Sequence, residues 1–223
     1  LKNGKHVICE SPVALSGEEC DELYEIAGKS GLILMDAIKT AYSTAYARML
    51  LLIESGAIGK VVSVDATCTS LRVNENGDWG PNAILPVFQL LGTKYKDIRI
   101  ISSFADEDKD YDLFSKFDFT YDSAVATVKV GKGVKSEGEL VVSGTKGYVY
   151  VPAPWWKTDY FEIRYENPAD KKRYFYQLNG EGIRYEIVAF IKAIESGRVI
   201  DMIPREVSRA ICEVVSSKNR IEI

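Results

Sequence analysis

The sequence has few of the residues from which many metal and nucleophilic sites are built. Only one of its 223 residues, His6, is a histidine. A single histidine excludes metal sites that need several histidines, and it permits a Ser-His-Asp triad only with His6 as the base. His6 lies in a short apolar run with strand character, residues 5–9. We therefore interpret His6 as a structural residue and predict no metal site.

Cysteine is also scarce, and its spacing is uninformative for metal binding. The sequence has four cysteines with no C-x-x-C pair among them: Cys9, Cys20, Cys68 and Cys212. In a chain of this length, such spacing is typical of reduced, buried thiols rather than of a disulfide framework. We expect a cytoplasmic protein with free thiols.

Neither an excess of one charge nor a long apolar run is present. The 28 Lys and Arg against 32 Asp and Glu give a net charge of −4, which disfavours nucleic acid or an anionic membrane as a partner. No run of 18 apolar residues occurs, so we predict no membrane-spanning helix. No signal-type apolar region occurs at the start. The first residue is Leu1 and not Met, and the chain begins directly in a strand-like run, so we expect the later part of a longer protein.

The first part of the chain has the pattern of a β-α-β unit. Short apolar runs at 7–9 and 32–35 predict buried strands, and the residues between them predict a helix ending near residue 29. Ser16 and Glu19 form a predicted capping box, in which each side chain binds the other residue's backbone N–H. Gly31 suits the left-handed position after the helix. This unit predicts two parallel strands with a right-handed crossover.

The rest of the chain predicts a large sheet with flanking helices. Helical spacing occurs at 42–55, 83–91, 181–196 and 204–217, and two-residue alternation begins after Gly59. Further strands are predicted at 98–105, 117–122, 124–130, 138–143, 147–151, 160–166 and 173–178. Hairpin turns are predicted at residues 132–133 and 144–147. The predicted fold class is α+β: a doubly wound β-α-β fragment, then a mostly antiparallel open sheet with helices.

Three stretches of the sequence are similar to one known family. GKHVICESPVAL at residues 4–15 resembles the G-K-H-V-x-x-E-K-P-x-A/L segment of the glucose-fructose oxidoreductase, inositol dehydrogenase and rhizopine catabolism (Gfo/Idh/MocA) family. SGAIGKV at 55–61 resembles its s-G-x-I-G-x-v helix exit. GEG at 180–182, followed by Glu186 and Phe190, is similar to its late G-E-G-x-x-x-E-x-x-x-F helix.

The resemblance implies a two-domain division and a nicotinamide cofactor. Residues 1–37 would be the end of a Rossmann dinucleotide-binding domain, and residues 38–223 a substrate-binding and oligomerisation domain. The cofactor would be NAD or NADP in the full-length parent. Most of the nucleotide-binding half, with its glycine-rich turn, is missing from these residues, so we expect this fragment to bind the cofactor poorly and to be inactive alone.

The predicted site lies at the carboxyl ends of the first two strands, where ligands of open α/β sheets bind. By resemblance, Glu10, Ser11 and Pro12 would contact the cofactor, with the bond before Pro12 expected to be cis. Lys39 and Tyr42, which follow the second strand, would contact the substrate.

Two catalytic positions of the family are changed in this sequence. Ser11 stands where the family has its catalytic lysine. The family's D-x-x-x-H pair corresponds to Asp78 and Asn82, so asparagine replaces histidine. Neither serine nor asparagine can act as a base near neutral pH. Asp78, or Lys39 with a lowered pKa, could replace the base; equally, Asp78 could be a turn former, Ser11 a backbone cap and Lys39 a solvated lysine.

Two functions follow from these observations. The first is a nicotinamide-dependent oxidoreductase of a sugar, cyclitol or related polyol, in which Asp78, Asn82, Lys39 and Ser11 would surround the reacting group. The second is an inactive substrate-binding or oligomerisation module of the same fold. The 13 tyrosines and 3 tryptophans suggest a homo-oligomer through the open sheet face, since an uncovered sheet would otherwise expose an apolar patch.

Overall fold

The structure, a computed structural model, describes residues 1–71, 79–104, 112–198 and 202–223. Its helices are α1 (Gly17–Lys29), α2 (Thr44–Glu54), α3 (Trp79–Leu91), α4 (Ile183–Ser196) and α5 (Arg205–Val215). Its strands are β1 (Val7–Glu10), β2 (Leu34–Ala37), β3 (Val61–Ser70), β4 (Asp97–Phe104), β5 (Asp112–Thr120), β6 (Val125–Lys132), β7 (Leu140–Gly144), β8 (Tyr148–Val151), β9 (Tyr160–Arg164), β10 (Lys172–Phe175) and β11 (Ile221–Glu222). The predicted α+β fold class is confirmed.

The first unit is the predicted β-α-β arrangement. β1 and β2 pair in parallel, and α1 connects them. The Ser16 hydroxyl accepts the Glu19 N–H at 3.1 Å, as predicted. The Glu19 carboxylate, however, accepts the N–H of Leu15 at 3.0 Å and not that of Ser16, so it caps the amide one residue further from the helix. Gly31 takes a left-handed φ of 64° after the helix.

The larger sheet has nine strands among the described residues, in the order β10-β9-β8-β7-β3-β6-β5-β4-β11. β3 pairs in parallel with β6, as does β4 with β11, and the other pairs are antiparallel. The hairpin predicted at 144–147 joins β7 to β8. The hairpin predicted at 132–133 is wrong, because β3 lies between β6 and β7; there the N–H of Gly133 binds the carbonyl of Ser70 at 2.7 Å.

Helices cover one face of this sheet, and the hydrophobic core lies beneath them. Val64, Phe88, Val128 and Trp155 are almost fully buried there. α3 begins four residues earlier than the predicted helix at 83–91 and holds Pro86 within it. The helix predicted from residue 42 is divided: a 3₁₀ turn, Lys39–Tyr42, precedes α2.

Contacts between α1 and α5 join the first unit to the end of the chain. The Asp21 carboxylate is 2.6 Å from an Arg205 nitrogen and 2.7 Å from Arg209 Nε. Buried Cys20 and Cys212 pack together below these ion pairs, and neither is in a disulfide. This packing places the exits of β1 and β2 beside the larger sheet.

The described residues also give the surroundings of His6 and of the cysteines. Nδ1 of His6 accepts the N–H of Ile33 at 2.9 Å, which is a structural role. The four cysteines are free. No helix in the described ranges is long and apolar enough to cross a membrane, and no group of three or more metal-ligating side chains occurs in those ranges.

Candidate functional site

The turns after β1 and β2 meet, as the strand-end rule predicts. Ser11 Oγ donates to Asp36 Oδ2 at 3.5 Å, which links the two turns. The hydroxyl of Tyr42 donates to the backbone carbonyl of Asp36 at 2.9 Å. The Ser11–Pro12 peptide bond is cis, as expected from the resemblance. Glu10 is exposed beside this junction.

Asn82, in the first turns of α3, reaches the same place. Thr40 Oγ1 donates to Asn82 Oδ1 at 2.7 Å and also lies 3.3 Å from the carbonyl oxygen of Trp156. Asn82 Nδ2 lies 3.7 Å from the sulfur of Cys68. The structure therefore brings Asn82 to the exit of β2. Asp78, its predicted partner, lies outside the described residues.

Lys39 and Tyr42 occupy the 3₁₀ turn but differ in their surroundings. Lys39 is half-buried and forms no hydrogen bond or ion pair with a described side chain. Tyr42 is buried, with its hydroxyl on the Asp36 backbone. Within the described part of the chain, the Lys39 ammonium group therefore has no hydrogen bond or ion pair, whereas the Tyr42 hydroxyl is already hydrogen-bonded.

Two buried carboxyl groups at this site were missed by sequence reasoning. Asp36 is 2% exposed and Glu186, from the first turn of α4, is 5% exposed. Asp36 Oδ1 and Glu186 Oε1 have no hydrogen-bond partner among the described residues. A signal for Asp36 existed, namely a charged residue in an otherwise apolar strand. The sequence places Glu186 in the late G-E-G-x-x-x-E-x-x-x-F motif but predicts no role for its side chain.

Burial shifts the pKa of both carboxyl groups upward. Burial raises the pKa of Asp36 to about 6, against the hydroxyls of Ser208 and Ser11, which favour the charged form, and with a smaller contribution from Glu10. Burial likewise raises the pKa of Glu186 to about 7; Glu10 and Asp36 add to the effect, and Lys39 opposes it. These groups are therefore close enough to influence one another's charge.

The start of α4 is held tightly against the 3₁₀ turn. Glu181 has a φ of 54°, an uncommon left-handed conformation for a residue with a side chain. Its carboxylate lies 3.1 Å from Lys157 Nζ, which anchors it. Gly182 follows with a φ of 92°, and a Cβ there would lie 3.5 Å from the Lys39 carbonyl oxygen. The start of α4 therefore packs against the 3₁₀ turn, and Glu186 lies in the first turn of that helix.

The site offers hydrogen-bond acceptors and a cation. A cavity of about 480 Å³ shares Asp36 and Tyr42 with the site, but most of its lining comes from α1, from β2 and from Arg198, Ile203 and Arg205. Lys39, Asn82 and Glu186 do not line this cavity, so it lies beside the site and not within it. A carboxyl group with a pKa near neutrality can both accept and donate a proton, which suits acid–base chemistry on a hydroxyl group.

Comparison with known proteins agrees with this geometry. A family model described as "Oxidoreductase family, NAD-binding Rossmann fold" (GFO_IDH_MocA) matches residues 1–37. The trans-1,2-dihydrobenzene-1,2-diol dehydrogenase of Danio rerio is 26% identical over 86% of this chain and 63% of its own length. The levoglucosan dehydrogenase of Pseudarthrobacter phenanthrenivorans is 38% identical over 29% of this chain and 16% of its own length. The chain thus spans less than two thirds of these relatives.

Solved structures share the fold over the full chain. KijD10, a 3-ketoreductase from Actinomadura kijaniata solved with NADP and TDP-benzene, superposes with a TM-score of 0.83 at 17% identity, over 100% of this chain and 73% of that one. A levoglucosan dehydrogenase in complex with NADH and levoglucosan gives 0.77 at 20% identity, over 95% and 70%. Residues 1–37 thus match the Gfo/Idh/MocA oxidoreductase family model, and the chain shares the fold of these two solved oxidoreductases.

Proposed function

We propose that the complete protein containing this chain is an NAD(P)-dependent oxidoreductase that interconverts a hydroxyl and a carbonyl group on a sugar, cyclitol or related polyol. The observation that carries this proposal is the meeting of three segments at one strand edge. The turn after β1, the turn after β2 and the start of α3 are linked there through Ser11, Asp36, Thr40 and Asn82. The relatives and neighbours with sugar or diol substrates support the substrate class.

The residues present suit one end of the proposed cofactor. Asp36 Oδ1 is a buried acceptor without a partner in the described ranges, and a ribose hydroxyl or a carboxamide N–H would satisfy it. Glu10, Ser11 and Pro12 would line the nicotinamide. The sequence contains no G-x-G-x-x-G turn for the phosphates, so we assign these to residues outside this chain. When bound, the cofactor supplies a hydride acceptor or donor.

The chain's own residues would bind and orient the polyol. Lys39 Nζ and the amide of Asn82 can hydrogen-bond hydroxyl groups, and Tyr42 would close the site from the side of β2. We also retain Asp78 as a proposed contact, and we assign residues 1–37 to the cofactor side and residues 38–223 to the substrate side. A cytoplasmic location is part of the same proposal, supported by the free thiols.

One observation favours the alternative, an inactive binding or assembly module. Asn82 already binds Thr40 and contacts the sulfur of Cys68, and Ser11 is hydrogen-bonded to Asp36. Neither position therefore offers the titrating group found at the corresponding lysine and histidine of the family pattern.

The two functions are separated by an assay of the complete protein. It would be supplied with NAD or NADP and a panel of polyols while the absorbance of the reduced nicotinamide is followed. Substrate-dependent reduction is expected. Cofactor binding without turnover of any polyol would instead favour the inactive module.

A second measurement tests whether the substrate contacts have diverged along with the catalytic positions. Ser11→Lys and Asn82→His would be introduced together. A gain in turnover is expected if the rest of the site still binds a polyol. If the wild-type protein is inactive and the double variant, with its fold intact by circular dichroism, stays inactive, the assignment of Lys39 and Tyr42 as substrate contacts is contradicted.

We further propose that copies of the protein associate through the open face of the nine-stranded sheet. Tyr148, Tyr150 and Tyr160 lie on that face, and Phe175 beside them is 65% exposed. Aromatic side chains of this kind are enriched at the centres of protein interfaces.

A further inference from the structure

Glu186 is an unusual carboxyl group because it is buried and no cation among the described residues binds it. It is 5% exposed, and its Oε1 has no hydrogen-bond partner in the described residues. A buried polar group without a partner is costly, and in native proteins it commonly marks a functional position or an absent ligand. The candidate ligand here is a group that can donate a hydrogen bond to Oε1.

The charges that act on Glu186 come from three elements, and of these the 3₁₀ turn packs against α4. Glu10 at the end of β1 and Asp36 in β2 repel its negative charge, whereas Lys39 in the 3₁₀ turn attracts it. Glu181 and Lys157, just before α4, pair with each other at 3.1 Å. Glu186 thus lies near the exits of β1 and β2, where the polyol is proposed to bind, because α4 begins against Lys39.

Glu186 is better placed as an acid–base group than the other carboxyl group at the site. The carboxyl of Asp36 receives a hydrogen bond from Ser11 and is further stabilised by the hydroxyl of Ser208. Such donors stabilise the carboxylate and lower its basicity. Glu186 receives no such bond within the described ranges, and its pKa of about 7 matches the operating pH of a general base.

We propose that Glu186 is the catalytic acid–base residue of this site, in place of the missing lysine and histidine. This inference rests on the proposed oxidoreductase function. In the oxidation direction, the O–H bond of the substrate breaks and its proton goes to a Glu186 oxygen. The freed electron pair would form the carbonyl bond as the adjacent C–H bond breaks, and a bound nicotinamide would accept that hydrogen together with its electron pair. Reduction reverses these steps, with protonated Glu186 as the acid.

The position of Glu186 on α4 supports this role. It lies in the first turn of the helix, where the unpaired N–H groups favour a negative charge. Burial, and to a smaller extent the repulsion from Glu10 and Asp36, favours the protonated form instead. Opposing influences of this kind keep both protonation states accessible near neutral pH, as a residue that takes and returns a proton requires.

The decisive experiment compares Glu186→Gln with Glu139→Gln in the complete protein. Glu139 is a matched control because it is a partly buried glutamate whose Oε2 also has no partner in the described residues, and it adjoins Tyr150 on the open face of the sheet. Glu186→Gln should lower kcat by about 10²–10⁴-fold, the usual contribution of acid–base catalysis, with KM little changed. Glu139→Gln should leave both constants unchanged.

The second readout does not depend on turnover. In protein labelled with ¹³C at the glutamate carboxyl groups, one resonance should titrate with a midpoint near 7. It should be absent in Glu186→Gln and present in Glu139→Gln. A Glu186 resonance that titrates near the ordinary value of about 4.3 would overturn the proposal.

The outcomes distinguish a failure of the Glu186 role from a failure of the proposed oxidoreductase function. If the wild-type protein oxidises a polyol and Glu186→Gln does so with equal kcat and the same pH profile, the role of Glu186 is refuted and the proposed function stands. If the folded wild-type protein oxidises no polyol with either nicotinamide, the proposed function fails and the role of Glu186 fails with it.

Discussion

Glu186 and Glu162 are glutamates with nearly the same exposure and opposite electrostatics. Glu162 is 1% exposed, but Arg164 and Arg173 lie 2.6 Å from its two oxygens. Burial alone would raise its pKa, yet the hydrogen bonds from Arg173 and Arg164 hold that pKa below its usual range. Glu186 has no bound cation in the described ranges, and its pKa rises to about 7. The partner, and not the burial, decides the direction of the shift.

The first prediction concerns the pH dependence of stability at Glu186. The folded state holds the Glu186 proton up to about pH 7, whereas the unfolded chain loses it near 4.5. Protonated Glu186 therefore contributes stability that is present below pH 4.5 and lost as the pH rises to about 7. Glutamine cannot ionise, so Glu186→Gln should be more stable than wild type at pH 8, by up to about 3 kcal/mol.

Urea denaturation of both proteins at pH 4 and pH 8 measures this difference. The two free energies of unfolding should approach each other at pH 4 and differ at pH 8. An equal difference at both pH values would show that Glu186 does not hold a proton in the folded protein.

The second prediction has the opposite sign and concerns Glu162. Its pKa is lowered in the folded state, so its stabilising contribution is present above the unfolded value of 4.5 and is lost as the pH falls through the folded value. Glu162→Gln leaves the guanidinium groups of Arg164 and Arg173 without their anion. It should lower the free energy of unfolding at pH 7 by about 2 kcal/mol, the usual range for hydrogen bonds to charged groups. The loss should shrink in acid, and a loss independent of pH would contradict this account.

Sequence reasoning found the residues of the site that follow strands and missed those that depend on distant packing. Ser11 and Lys39 come directly after predicted strands, so the strand-end rule could place both. Asn82 was placed by its resemblance to a motif. The chemistry of Glu186 depends on the burial of α4 against a turn far away in the sequence, and no local pattern encodes that burial.

At the scale of elements, the spacing of apolar residues predicted the boundaries of helices and strands well, except where a proline or a tight turn interrupted that spacing. α1 and β6 were predicted within one or two residues, since each has a regular apolar face. α3 was predicted too short: it begins at Trp79, not at residue 83, and includes the buried Pro81. The order of β7 and β3 in the sheet could not be read from sequence, because strand pairing depends on contacts between distant segments.

The third prediction tests how α4 is held against the 3₁₀ turn. Gly182 and Gly197 flank α4, with φ values of 92° and 65°. Alanine at either position should cost about 1–2 kcal/mol, because a side chain disfavours left-handed backbone. A Cβ at 182 would touch the Lys39 carbonyl, whereas a Cβ at 197 would meet no atom within 4 Å.

Relaxation of the strained backbone at residue 182 would move the start of α4 where it contacts Lys39, so only Gly182→Ala should disturb the site. We expect both variants to lose similar stability in urea, while the titration midpoint of Glu186 shifts in Gly182→Ala alone. Gly197→Ala is the matched control. A shift of equal size in both variants would mean that the midpoint follows overall stability and not the contact with Lys39.

At the scale of the whole molecule, two surfaces could join copies of the protein. The open sheet face carries Tyr150 and Phe175 among charged side chains, including Arg164 at 4.3 Å from the Tyr150 ring centre. The other surface is an exposed apolar stripe on α4, formed by Ile183, Ile187, Val188, Ile191 and Ile194, each 36–48% exposed. The stripe has the more apolar side chains, but the sheet face has the aromatic and arginine residues that dominate binding energy at interfaces.

The fourth prediction follows from that composition. Lysine at both Tyr150 and Phe175 removes two aromatic contacts and adds charge next to Arg164, so the association constant should fall by at least tenfold in sedimentation experiments. Lysine at both Ile187 and Ile191 changes the α4 stripe to the same extent and should leave the association unchanged. If the α4 variant alone dissociates, the copies meet through α4, and a wild-type protein that sediments as a monomer at high concentration would refute association through either surface.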